Sequence, residues 1–461
     1  LLLGMKPDSV HSLMGAEKDA KALSPKHFQP MSTTIHLKSR RVVLPDETRP
    51  ATLTLQNGLI QSIGSYDDPV AEDFGEKVIL PGVIDPHVHF NDPGRAHWEG
   101  WKTGTLAALG GGVTTVVDMP LNCIPSTVDL PSYWAKREAG KGQMYCDVGL
   151  WGGAVPGNAG ELKGLVGAGA LGLKCFLSDP GTREFANLDH QGLEDAMRVI
   201  AEIDSVLLIH AEWPSALQAP DPKLDPFSYQ AWLNTRPVEA ERQAIEKVVA
   251  LSGKTGCRCH IVHVSTPEVL DLLEGTGVSC ETCAHYLVFA AEEIEDRDTR
   301  FKCAPPIREK VHQDGLWKAL AEGRIQMVTS DHSPCPPDLK TENFLESWGG
   351  IAGVQMLLSA TWTGAERRGY SLNQLACWLC SGPAELAGLQ DQGAIKVGNL
   401  ANLVVFDPDQ EFVCESLFHR HGGSPYQGRT WKGVVEATYL RGVQAYREGA
   451  AGPPMGRLLN A

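Results

Sequence analysis

The stretch Val83-Ile84-Asp85-Pro86-His87-Val88-His89-Phe90 decides the reading of this chain. It is an apolar run of strand length, yet it carries two histidines two residues apart. On a strand, side chains at that spacing point to the same side. Two imidazoles on one side can bind a single metal ion, or they can simply hydrogen-bond to their neighbours. The pair alone does not choose between these.

Seven further apolar runs follow. They are Val113–Asp118, Val148–Trp151, Gly172–Leu177, Val206–His210, Cys259–Val264, Gly277–Phe289 and Ile325–Ser330. Helical stretches such as Leu193–Ile203, Pro237–Leu251 and Glu309–Ala321 lie between them. Eight strands alternating with helices predict an α/β fold, a (β/α)8 TIM barrel. In that barrel the functional groups gather at the C-terminal ends of the strands.

The strand ends carry the polar residues. Lys174 lies inside the apolar run Gly172–Leu177, where a bare ammonium is costly. It is either ion-paired, snorkelling, or a neutral amine that has taken up carbon dioxide as a carbamate. The fifth run stops at His210 and the sixth passes His260 and His263. Those two are oddly spaced and should face opposite ways. His263 is nearer the strand end and is the expected ligand. The eighth run leads into Asp331, placed to bind metal and to move protons. Each of these residues alone is more often structural. Together, His87, His89, Lys174, His210, His263 and Asp331 form a nitrogen and oxygen set that suits zinc and its neighbours.

Outside the barrel the pattern changes. Residues 1–33 mix charge, Pro, Ser and Met without a period and read as a poorly ordered tail. Residues 34–80 carry short alternating runs, with Asn57-Gly58 as a hairpin signal. A similar strand-rich region, with the C-terminal tail, fills residues 394–461. The two ends are expected to build one small β-sandwich domain around the barrel of residues 81–393.

Composition narrows the function. The chain has 461 residues, is 43% hydrophobic, and carries a formal charge of −15. That charge disfavours nucleic acid and anionic membranes as partners. No apolar run is long enough to span a bilayer. The twelve cysteines sit mostly in core-like runs without a secretory leader. They read as reduced thiols in an intracellular, soluble protein. The cytoplasm is the default compartment, with mitochondrion and peroxisome left open. Gly110-Gly111-Gly112 lacks the Lys-Ser/Thr of a phosphate loop and reads as a packing or turn feature.

The segment Gly82–His89, with Lys174, His210, His263 and Asp331, resembles the binuclear, cyclic-amide-cleaving branch of the amidohydrolases. That branch includes dihydroorotases, dihydropyrimidinases and allantoinases. The resemblance runs from about Ile35 to Leu440. It implies two divalent metal ions per chain. Residues like His87 and His89 hold the first, and residues like His210 and His263 the second. A carboxylated lysine like Lys174 bridges them, and an aspartate like Asp331 serves as ligand and base for a metal-activated hydroxide. It also implies a homotetramer.

Finer motifs resemble the allantoinases: His87–Arg95, Asp118–Asn122, Glu281–Tyr286, Lys302–Arg308 and Ser330–Pro337. Asp92, Ala284 and Asn402 depart from the family pattern, and none is a ligand. The implied reaction is hydrolysis of allantoin to allantoate in purine and ureide catabolism. Asn91, Arg95, Cys303 and Ala304 are the expected substrate contacts. Dihydroorotases resemble one another in carrying Arg where this chain has Asn91, and a neutral amide suits an uncharged ureide better. The rivals are a dihydropyrimidinase or hydantoinase, a dihydroorotase, and a non-catalytic barrel scaffold. The full ligand set argues against the last.

Overall fold

The computed structural model of the protein describes residues 34–460. The tail expected over residues 1–33 lies outside the described residues. Eight parallel strands form the barrel: β1 (Val83–Val88), β2 (Val113–Asp118), β3 (Asp147–Leu150, continued by Gly152–Gly153), β4 (Leu173–Phe176), β5 (Val206–His210), β6 (Arg258–Ile261), β7 (Ser279–Cys283) and β8 (Met327–Thr329). Each pairs in parallel with the next. The ring closes where Val88 bridges His332 and the amide of His89 donates to the carbonyl of His332 at 2.7 Å.

Alternation along the strands sorts their side chains. Leu173, Cys175, Leu207 and Ile209 join the large core beneath the helices. The residues between them, Lys174, Phe176, Leu208 and His210, are left for the interior. Parallel strands are covered on both faces, which is why they read as continuous apolar runs.

Two strands end well before the sequence suggests, the others within two residues of it. The run Gly277–Phe289 is not one strand: β7 stops at Cys283 and Ala284–Val288 is a short helix. A long apolar run cannot by itself separate a strand from a buried helical turn. The sixth strand stops at Ile261, before His263.

The two ends of the described chain build one nine-stranded sheet. Its order runs Ala450–Ala451, Val443–Arg447, Thr430–Leu440, Leu403–Val413, Val78–Pro81, Ile35–Val43, Thr48–Gln56 and Leu59–Gly64, with Glu72–Asp73 beside Ile35–Val43. Asn57 and Gly58 make the expected hairpin with φ of 54° and 85°. Leu59 bridges Leu400, so the sheet curls back on itself. One face, with Leu37, Leu53, Leu403 and Val405, encloses a small core. The alternate residues Val43, Leu80, Val404 and Phe406 join the barrel core.

The glycine triplet lies at this junction. A Cβ on Gly112 (φ 81°) would meet Val404 at 2.6 Å, and one on Gly111 would meet the Gln355 carbonyl at 2.4 Å. Among the described residues no helix is long and apolar enough to cross a membrane.

One buried ion pair also ties sheet to barrel. Arg441 donates to Asp147 at the start of β3 at 2.6 Å, and Asp147 accepts the amide of Arg457 at 2.8 Å. Burial raises the Asp147 carboxyl even with Arg441 pulling it down. Arg441→Ala strands that carboxylate and is expected to cost about 3–5 kcal/mol of stability. Urea unfolding measures it, with the double variant Arg441→Met/Asp147→Leu recovering a large part.

Candidate functional site

A cavity of about 300 Å³ opens at the C-terminal ends of the strands. His87 lines it from β1 and His89 from just past its end, Leu121 and Asn122 from the segment after β2, and Phe176 and His210 from the ends of β4 and β5. His263, Lys302, Cys303, Ala304, Asp331 and the 346–350 loop complete the wall beyond β6, β7 and β8.

Three of the candidate ligands converge on one point. Nε2 of His87 and Nε2 of His89 each lie 3.3 Å from Oδ1 of Asp331. The three are buried, and their ligand atoms lie within 4.8 Å of one another. The His263 ring lies 4.6 Å from that of His210 and 5.4 Å from that of His87, centre to centre. Lys174 is fully buried, with its Nζ 5.1 Å from the Phe176 ring centre. Neither Nζ of Lys174 nor Nδ1 of His263 has a hydrogen-bond partner among the described residues. Buried polar atoms are rarely left so. The cluster of His87, His89 and Asp331 could hold a metal ion, whereas Lys174, buried without a hydrogen-bond partner, is not among the residues that line the cavity.

His260 and His263 were expected to face opposite ways, yet both serve this region. His260 is still in strand geometry and donates from Nε2 to Glu281. His263 lies past the strand end at φ 42°, and Asp331 likewise sits past β8 at φ 43°. These are left-handed conformations, each costing about 1–3 kcal/mol for such residues. They break strand alternation and let both residues line the mouth.

Two glutamates orient the histidines, and sequence reasoning missed both roles. Glu281 of β7 accepts from Nδ1 of His87, Nε2 of His260 and Oγ1 of Thr329. With Nδ1 carrying the proton, Nε2 of His87 is bare and faces Asp331. Glu212 accepts from Nε2 of His210 at 2.7 Å and is ion-paired with Arg236. That leaves Nδ1 of His210 without the proton and able to bind a metal ion. The available signals were a glutamate within the strand-like run that became β7, and the spacing of two from His210 to Glu212. The amide of Asn122 meets Nδ1 of His89 at 3.4 Å.

Charge states follow from burial. It lowers His89, His210 and, most strongly, His263, where His210, Lys174 and His87 add to it. These imidazoles stay neutral, as metal ligation requires. Burial pulls Lys174 down to about 8 against the opposing pull of Glu281 and Asp331. It pushes the Asp331 carboxyl up, but His87, His89 and His285 outweigh it and hold that group at about 2. Glu212 is held at about 2 chiefly by Arg236 and His210, again against burial.

The expected substrate contacts divide. Cys303 and Ala304 line the cavity, whereas Asn91 and Arg95 do not. Asn91 is buried and donates to the Pro334 carbonyl. Arg95 is bound to Glu184 at 3.0 Å and to the Asn122 carbonyl at 3.2 Å. Both stabilise the loop after β1 rather than the cavity wall. All cysteines but Cys377 are buried, and all are free thiols.

Comparison with known proteins agrees with this geometry. The amidohydrolase family profile matches residues 78–219 and 232–445. An allantoinase from Streptomyces avermitilis is 44% identical over 92% of this chain and 98% of its own length. An allantoinase from Arabidopsis thaliana is 41% identical over 90% of this chain and 88% of its own. One from Saccharomyces cerevisiae is 40% identical over 92% and 98%. Among solved structures, an L-hydantoinase (dihydropyrimidinase) from Arthrobacter aurescens superposes with a TM-score of 0.85 at 26% identity, over 93% of this chain and 99% of that one. A dihydropyrimidinase from Brevibacillus agri gives 0.82 at 27%, over 93% and 98%. The chain belongs to the amidohydrolase family, a family of metal-dependent enzymes, and within it groups with the allantoinases.

Proposed function

We propose that this protein is an allantoinase, opening the hydantoin ring of allantoin to allantoate by hydrolysis of a ring amide. The observation that carries the reading is 40–44% identity to allantoinases over nearly the whole chain. The 26% identity to a hydantoinase supports the shared barrel and a cyclic amide as substrate class. Arg95, held by Glu184, is not free to clamp a substrate carboxylate, which disfavours dihydroorotate.

His87, His89, His210, His263, Asp331 and a carboxylated Lys174 would hold two divalent ions, zinc by donor type. Such ions supply an acidified water and a polarised ring carbonyl. The residues' own work can be followed atom by atom. Glu281 fixes the tautomer of His87, and Glu212 that of His210. Asp331 is ionised at neutral pH. Its Oδ can take a proton from the attacking water and return it to the departing ring nitrogen. Leu121, Phe176 and Trp232 wall the cavity with apolar surface and limit competing water.

Three outcomes test this reading. Metal-loaded enzyme should hold about two ions per chain and should turn over allantoin with a higher kcat/KM than hydantoin, dihydrouracil or dihydroorotate. A higher value for either of the last two overturns the substrate assignment. Asp331→Asn should leave the circular dichroism spectrum intact while lowering kcat by about 10²–10⁴-fold, and near-normal turnover would remove Asp331 from the role of base. Lys174→Ala should lose metal and activity together, with short carboxylic acids restoring part of both. Mass spectrometry or crystallography finding an unmodified lysine in active, metal-replete enzyme would rule out the carbamate.

A further inference from the structure

Lys302 is a buried amine on the cavity wall with no carboxylate partner among the described residues. Its Nζ donates to the Ser347 carbonyl at 2.6 Å and lies 4.2 Å from the Trp232 ring centre. An ammonium has three donors, so a single carbonyl leaves the others unmatched. Burial lowers this group to about 7, and the cations Lys340 and Arg236 push the same way. Trp232 carries the Arg236 guanidinium 4.8 Å from its ring centre as well, and its Nε1 donates to the Cys303 carbonyl at 2.9 Å. The wall is therefore a fixed indole with a guanidinium and a lysine amine against its ring.

None of these three side chains belongs to the His87, His89 and Asp331 cluster. A substrate whose ring amide reaches that cluster must direct its remaining polar groups at other walls. In allantoin these include the ureido substituent, a planar unit with one strong carbonyl acceptor. Hydantoin has the same ring without it.

We propose that Lys302, held in place over the Trp232 ring, is a specificity-determining residue that donates to the ureido carbonyl of the substrate. This rests on the allantoinase reading and names the contact by which that site tells a ureido-bearing ring from a bare one. A buried donor without its acceptor is left unmatched by hydantoin, and discrimination of this kind is steep.

The test compares Lys302→Met and Lys302→Arg with the unaltered enzyme on allantoin and on hydantoin, the latter read as substrate or as competitive inhibitor. Lys302→Met should raise KM for allantoin by about 10–100-fold with kcat within about 3-fold, as expected for lost ground-state binding. KM or Ki for hydantoin should move less than about 3-fold, and Lys302→Arg should recover part of the loss. Equal losses on both ligands would assign Lys302 to holding the 346–350 loop through Ser347, and unchanged allantoin kinetics would remove it from recognition. Unaltered enzyme inactive on allantoin would instead defeat the underlying function, a distinguishable result.

Discussion

The amide of His89 donates to the carbonyl of His332 at 2.7 Å, and the site depends on that closure. It joins the end of the first barrel strand to the residue after Asp331. Without it, His87 and His89 would sit on one open edge and Asp331 on the other. A parallel barrel has no free edge, so its closing seam is fixed by all seven other strand pairings. The site thus takes its precision from the whole ring rather than from local loops.

That precision sets polar groups in an apolar interior, and the structure answers the cost with paired partners. Glu281 serves His87 and His260 together, and Glu212 joins His210 to Arg236. A carboxylate behind His87 and another behind His210 fix which nitrogen is bare and stop those rings from turning. The Arg236 link also makes the cavity wall electrostatically continuous with a candidate ligand. The two left-handed residues, His263 and Asp331, hold backbone strain where reactive groups must leave the strand direction.

Much of this was legible in the sequence, and the limits are physical. The barrel strands are covered on both faces, so their apolar runs stand out, and His87, His89, His210 and Asp331 mark where such runs end. The seventh run was over-extended because the helix of Ala284–Val288 is as apolar as the strand before it. His263 was chosen by its closeness to the strand end, while its true placement depends on a backbone turn that alternation does not encode. Glu281 went unassigned because its partner His87 is 194 residues away. Asn91 and Arg95 were placed in the cavity by resemblance. Their contacts with Pro334, Asn122 and Glu184 belong to tertiary structure that spacing does not reveal. Lys302 and Trp232 meet only because separate loops fold to one wall.

The nine-stranded sheet has a consequence for how the chain comes to be made. Val78–Pro81 lies between Ile35–Val43, an early strand, and Leu403–Val413, a late one. During synthesis the early strands and the whole barrel emerge while one side of Val78–Pro81 has no partner. The unmet edge is apolar, and an unpaired edge of that kind recruits other strands. Sheet completion is a long-range pairing, slow by its topology. The nascent protein therefore passes through a stage in which the barrel is complete in sequence but open at its base. That interval is the stage at which the chain is most open to strand-mediated association with other chains.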